Sequence, residues 1–264
     1  MKVVLHILKF KLLVFLKFES KINAGYLLKS LSSSAVYLIF AGGIFYFAEA
    51  IIKYLLEDVR IGVFLLHRFI FVVLFIFFIT VNIGNIVVSY STFFKTTEVG
   101  FLLTKPVSFT KIFLIKFLDN FFYSSSTLLL MVTAALAGYT SYFGLPWYFI
   151  PFAVLFLILP FMFIAGTLGA VILLIILRMA AKIGIKIILA AIALIYAGAV
   201  ILFYIFSSPV ELVAKVFENF PDIDRYFGFL ESPAVQLLPN HWVAEALYWV
   251  ASGKYGAAGW HIYL

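Results

Sequence analysis

The stretch Phe93–Lys116, FFKTTEVGFLLTKPVSFTKIFLIK, is a polar break between two long apolar runs. Phe69–Phe94 before it and Asn120–Leu177 after it contain no Asp, Glu, Lys or Arg. The break itself carries Lys95, Glu98, Lys105, Lys111 and Lys116. Uncharged runs of this length read as membrane-spanning helices, so the break is a loop joining two spans. It has helix signals of its own. Thr96 or Thr97 can cap a short helix, and Glu98 falls in its first turn, where a negative charge suits the helix dipole. Val99, Leu102 and Leu103 give that helix one apolar face. Pro106 stops it, because the residue before a proline is pushed out of the helical region. Ser108 can cap the next helix. A link between spans needs only a few residues, and one that builds its own capped helix is shaped for contact with another molecule.

Composition agrees with this reading. The 264 residues are 65% hydrophobic and only 12% charged, against about 45–50% and about 25% in a soluble domain. Phe69–Phe78 does not alternate as a barrel strand would, so the expected fold is all-α and polytopic. There is no cysteine, which excludes disulfides, thiolate nucleophiles and Cys-based metal sites.

Residues 1–30 are apolar but broken by lysines, and Lys2, His6, Lys9 and Lys17 share one side of a helix. The pattern predicts an amphipathic helix on the membrane surface. A signal peptide fits less well, since lysines interrupt the apolar region and no small-x-small cleavage site follows. Ala35–Ile52 is the first span, with Glu49 and Lys53 spaced to pair. His67 and Arg68 open the second, Phe69–Ser89, in which Asn82 and Asn85 are expected to face and bond another helix, a substrate role being the alternative. Asp119 is spaced to pair with Lys116, and Ser124, Ser125 and Ser126 suit close helix packing. Asn120–Leu177 suits two spans with a turn at Gly138–Trp147. Tyr142, Trp147 and Tyr148 belong at headgroup level. Pro151 and Pro160 are candidate kinks, and Gly166 and Gly169 candidate points of close approach. Ile187–Phe206 is the fifth span.

The segment 207–256 is richer in acids. It predicts one amphipathic helix around Val213–Phe220 and a second capped by Asn240, burying Val243, Ala246, Leu247 and Val250 and ending at Gly253. Either lies on the membrane or dips into it. Ala257–Leu264 reads as the start of a sixth span, eight residues being too few to cross the hydrocarbon. The expected whole is one transmembrane domain over 1–264, with five complete spans, the start of a sixth, and more chain beyond Leu264.

If the N-terminus is inside, the inner segments 1–34, 93–119 and 178–186 hold thirteen of the 19 basic residues. The outer ones are Lys53, Arg60, Arg68, Lys215, Arg225 and Lys254. The positive-inside bias therefore predicts a cytoplasmic N-terminus, a cytoplasmic loop 93–116, and 207–256 outside. Chemistry is sparse. The one Gly-Lys pair, Gly253-Lys254, precedes tyrosine, so there is no P-loop. His6, His67, His241 and His261 have no metal-ligand spacing. No nucleophile elbow or intramembrane carboxylate pair is present. The residues call for no cofactor and no catalytic role.

Glu98, then Leu102-Leu103, then Pro106-Val107-Ser108, then Lys116, resembles the cytoplasmic loop between spans two and three in the membrane subunits of type-2 ABC exporters. Leu238-Pro239-Asn240-His241-Trp242 is similar to that family's stretch before its last span, and the N-terminal surface helix to its elbow helix. The resemblance implies a permease at the cell membrane without its own ATP-binding site. It implies a partnership with a separate ATP-binding subunit and with a second permease subunit or half. It also implies that Glu98, Val99, Leu102, Leu103 and Pro106 form the coupling helix on which the ATPase docks. The competing reading is a membrane protein that works without ATP: an ion-coupled transporter, a flippase or a scaffold.

Overall fold

A computed structural model describes residues 24–95, 100–101, 104, 108–183, 185–207 and 236–253. All elements among them are helical: α1 (Ala24–Lys53), α2 (Gly62–Lys95), α3 (Phe109–Tyr142), α4 (Phe149–Ala153), α5 (Leu159–Ile183), α6 (Ile185–Ser207) and α7 (Pro239–Ala251). Four stretches are long and apolar enough to cross a membrane: Ser34–Asp58, Gly62–Thr92, Thr110–Tyr142 and Phe149–Ile176. A shorter apolar helix, Ala190–Phe206, lies within α6. Residues 1–23, the helix around Val213–Phe220 and the run from Ala257 lie outside the described residues.

The helices run longer than the uncharged stretches that announced them. α1 is already helical at Ala24, within the segment expected to lie on the surface, and continues through a π-helical turn, Tyr54–Asp58. The chain then reverses through Arg60 at φ 56° and Gly62 at φ 79°, left-handed conformations that favour glycine. α2 starts at Gly62 rather than Phe69, because His67 and Arg68 are accommodated inside the helix. The Arg68 guanidinium lies 5.2 Å from the Phe64 ring and 5.9 Å from the Phe71 ring, so aromatic faces replace part of its water shell.

The turn after α3 is shorter than Gly138–Trp147. Gly138 belongs to the helix, and a Cβ there would stand 2.5 Å from the Phe45 carbonyl oxygen of α1. Only glycine lets the two backbones approach so closely. The reversal itself uses Gly144 at φ 61°, with Leu145 N–H donating to Thr140 O at 3.0 Å. Pro151 does not kink anything, since it sits in the first turn of α4, where its missing N–H has no partner to lose. Pro160 has a local consequence. The carbonyl four residues back, Phe156, lies in the π-helical turn Val154–Ile158 that joins α4 to α5, and widening there relieves the clash of the ring with that carbonyl.

Paired residues fix the helix directions. Ser89 meets Asn120 and His67 meets Tyr139, so α2 and α3 are antiparallel. Phe78 faces Phe161 and Asn82 bonds Ala165, so α2 and α5 are parallel. Phe203 stacks on Phe75 at 3.7 Å and Tyr196 bonds Asn82, so α6 runs against α2. The α2–α3 link and the α5–α6 junction therefore lie at one end of the bundle. The α1–α2 and α3–α4 turns lie at the other. The core is centred on α2, which packs on α3, α5 and α7, while α1 rests on α3. The outward faces of α1 and α6 are apolar, with Ile39, Phe47, Leu194 and Ile201 exposed.

Candidate functional site: a polar seam above the α2–α3 link

Asn82, Asn85 and Ser89 lie at i, i+3 and i+7 on α2, so they share one helix face. All three are buried. Asn82 ties three helices together. Its Nδ2 donates to Ala165 O of α5 at 2.9 Å, and its Oδ1 accepts from the Tyr196 hydroxyl of α6. Gly169 permits this approach, since a Cβ there would stand 2.7 Å from the Asn82 carbonyl oxygen. Asn85 Nδ2 donates to Val81 O at 2.9 Å. Ser89 Oγ accepts from Asn120 Nδ2 of α3 at 3.3 Å. Gly166 faces the Phe121 ring, 2.7 Å from where its Cβ would be. The asparagines do face other helices, and the glycines are the points of close approach that the sequence suggested.

One turn nearer the link, Lys116 is buried at 2% exposure, with Nζ 4.0 Å from Asp119 Oδ2. The expected pair exists at the outer limit of ion-pair distance, but its lysine is interior rather than at a wet boundary. Sequence reasoning did not foresee that. The signal was available in the two asparagine-bearing helix faces that flank it. Glu49 does not pair with Lys53; its Oε1 accepts from Ser141 Oγ of α3 at 2.9 Å, because α1 packs closely along α3.

The link itself joins α2, ending at Lys95, to α3, beginning at Phe109. Ser108 takes the extended N-cap conformation (φ −64°, ψ 144°), and its carbonyl accepts from Lys111 and Ile112 N–H, without a side-chain capping bond. Gly100 and Phe101 are helical, and Thr104 closes a turn by bonding Phe101 O through both N–H and hydroxyl. Phe101 is exposed. Glu98, Val99, Leu102, Leu103 and Pro106, the residues expected to dock an ATPase, lie outside the described residues.

A second polar cluster closes the opposite end. α7, at 13 residues, is too short to span; it packs against α2 and α5 and takes a hydrogen bond from α3. Asn240 is not its cap: Leu238 holds that position and Pro239 is the first helical residue, where a proline fits. Asn240 Nδ2 instead donates to Phe71 O at 3.1 Å. His67 Nδ1 donates to Val63 O at 2.7 Å, its Nε2 lies 2.8 Å from the Tyr139 hydroxyl, and that hydroxyl donates to Leu247 O at 2.8 Å. His241 Nε2 lies 2.8 Å from Glu245, whose other oxygen accepts from Trp249 at 3.3 Å. Val243, Ala246, Leu247 and Val250 are buried as expected, and Gly253 at φ 71° ends the helix. α7 thus packs into the bundle rather than lying apart on a surface.

A family model described as "Putative ATP-binding cassette" matches residues 20–264. No curated protein and no solved structure matches the chain. The described residues carry no sheet of the kind an ATPase domain is built on, and four helices have the length and composition of membrane spans. The chain belongs to this ATP-binding-cassette family, as a helical, multi-pass membrane protein.

Proposed function

We propose that the chain is the transmembrane permease subunit of an ATP-driven exporter, which draws its energy from a separate ATP-binding subunit. The observation that carries this reading is the family match over residues 20–264 on a chain whose described elements are membrane-length helices. The described residues are helical, without the sheet of an ATPase domain, which supports energy supplied by a partner that carries one. The α2–α3 link is the natural receptor for that partner. It connects the two helices whose buried faces form the polar seam, so displacement of the link acts first on that seam. Glu98, Val99, Leu102, Leu103 and Pro106 form the docking face. The N-terminus, 93–116 and 178–186 are cytoplasmic, where the basic residues concentrate, and 207–256 lies outside. α6 is the fifth span. A second permease subunit or half completes the pathway.

The test is purification of the tagged chain from its native membrane in mild detergent. Recovery of a P-loop subunit with ATP hydrolysis supports the reading. Stable recovery of the chain without any nucleotide-binding partner contradicts it.

A further inference from the structure

Among the described residues, two buried polar side-chain atoms have no hydrogen-bond partner: Asn85 Oδ1 and Ser125 Oγ. Both residues are almost fully buried, at 0% and 4% exposure. Their neighbours behave differently. Thr80, Thr92, Thr133, Thr140 and Thr167 each return a hydroxyl to the carbonyl four residues back. Ser124 and Ser126 bond the carbonyl three residues back. Ser125, between them, does neither. The Asn85 amide is not free to exchange its ends, because its Nδ2 is committed to Val81 O. Its oxygen is therefore a fixed acceptor.

Helix register brings the two residues to one level of the bundle. α2 and α3 are antiparallel and are pinned by Ser89 and Asn120. From that pin, Asn85 is one turn along α2 and Ser125 just over one turn along α3, about 6–8 Å in the same direction at 1.5 Å per residue. The position of a Gly166 Cβ lies 2.7 Å from the Phe121 ring and 3.4 Å from Asn85 Nδ2, so Asn85 and Phe121 line the same spot on α5. Ser125 follows Phe121 by one turn on the same face of α3. The surroundings are aromatic and uncharged: Phe163 packs edge to face on both Phe117 and Phe121 beside Gly166. The nearest buried charge on α3, Lys116, is nine residues from Ser125.

We infer that Asn85 Oδ1 and Ser125 Oγ, where α2, α3 and α5 meet, recognise an uncharged hydroxyl or amide group carried by an otherwise apolar ligand. An amide oxygen requires a donor, a serine hydroxyl serves as donor or acceptor, and the ring-lined walls favour an apolar body. A charged ligand finds no counter-charge there and is disfavoured by desolvation. The site lies in the α2–α3 seam that the link bridges, so parting of these two helices exposes it. The assignment of the ligand as transported substrate rests on the permease reading.

The test uses the full chain reconstituted in phosphatidylcholine vesicles without nucleotide, and two photoprobes: a diazirine-bearing octanol and its methyl ether, in which a methyl group replaces the O–H proton. Adducts are mapped by mass spectrometry. The alcohol is expected to label 81–89, 117–125 or 161–166 about fivefold more than the ether, the scale of one hydrogen bond. Ser125→Ala and Asn85→Leu reduce alcohol labelling to the ether level, and Ser124→Ala leaves it unchanged. Ser125→Ala removes a hydroxyl that holds no bond, so it keeps the fold. Equal labelling by the two probes, adducts confined to the outward faces of α1 and α6, or undiminished labelling of Ser125→Ala would overturn the inference and leave water as the partner of these atoms. Because no ATPase is present, failure here is separate from failure of the permease reading, which is judged by co-purification.

Discussion

The Tyr139 hydroxyl of α3 lies 2.8 Å from two acceptors, the Leu247 carbonyl oxygen of α7 and His67 Nε2 of α2. A single hydroxyl thus joins two long helices to the short one beside them, Tyr139 and Leu247 being 108 residues apart in sequence. Val63 O can only accept, so His67 Nδ1 carries the proton of the neutral ring and Nε2 is an acceptor; the one Tyr139 proton therefore serves Nε2 and Leu247 O in turn.

Tyr139→Phe removes both contacts and leaves His67 Nε2 buried without a partner. The expected loss is about 1–3 kcal/mol, the cost of an unsatisfied buried group. The further substitution His67→Phe should recover part of it, which a double-mutant cycle by chemical unfolding in detergent reads directly. Strict additivity of the two variants would show that the contact is not made.

Gly138→Ala should destabilise the chain by about 1–3 kcal/mol, the range for overpacking. Its new Cβ meets the Phe45 carbonyl and the Glu49 backbone nitrogen, neither of which can swing aside. Gly43→Ala is the control, since its Cβ enters open space, and it should be neutral or slightly stabilising through helix propensity. Thermal unfolding of the two variants side by side separates close packing from a general intolerance of glycine replacement.

Asn82→Ala severs α2 from both Ala165 O and Tyr196. Hydrogen bonds between membrane helices average about 0.6 kcal/mol each, so roughly 1–2 kcal/mol is expected. Tyr196→Phe should cost about half as much, and nothing further once Asn82 is gone. Unfolding midpoints of the single and double variants decide this.

These residues also show what the sequence could and could not reveal. Uncharged runs announced the helices because lipid demands them, and the apolar face of α7 was readable from its spacing. Helix ends were misjudged where a charge was taken as a boundary. Arg68 is carried inside α2 by two rings that one-dimensional reading does not bring together. Gly138 looked like a turn residue because glycine serves both for reversal and for close approach, and only the proximity of Phe45 distinguishes them. Asn240 looked like a cap because asparagine has two uses at a helix start, and the Phe71 carbonyl took the second. The polar seam was half visible, in Asn82 and Asn85 but not in the burial of Lys116.

Single cysteines at Ser108 and Ser232, probed with an impermeant thiol reagent, test the orientation. Ser232→Cys should be labelled from outside intact cells and Ser108→Cys only after permeabilisation. Labelling of Ser108→Cys in intact cells would invert the proposed topology.

In the proposed mechanism the α2–α3 link passes work from a separate ATPase to the bundle. Buried apolar anchors dominate interface energies, so Leu102→Ala should weaken docking by about 1–3 kcal/mol, and Glu98→Lys should oppose a basic rim on the partner. The decisive measurement is ATPase co-purification and substrate-stimulated ATP hydrolysis of the reconstituted Leu102→Ala, Glu98→Lys double variant. Both should fall well below wild type while the chain remains folded by circular dichroism. Wild-type recovery and wild-type stimulation would contradict it.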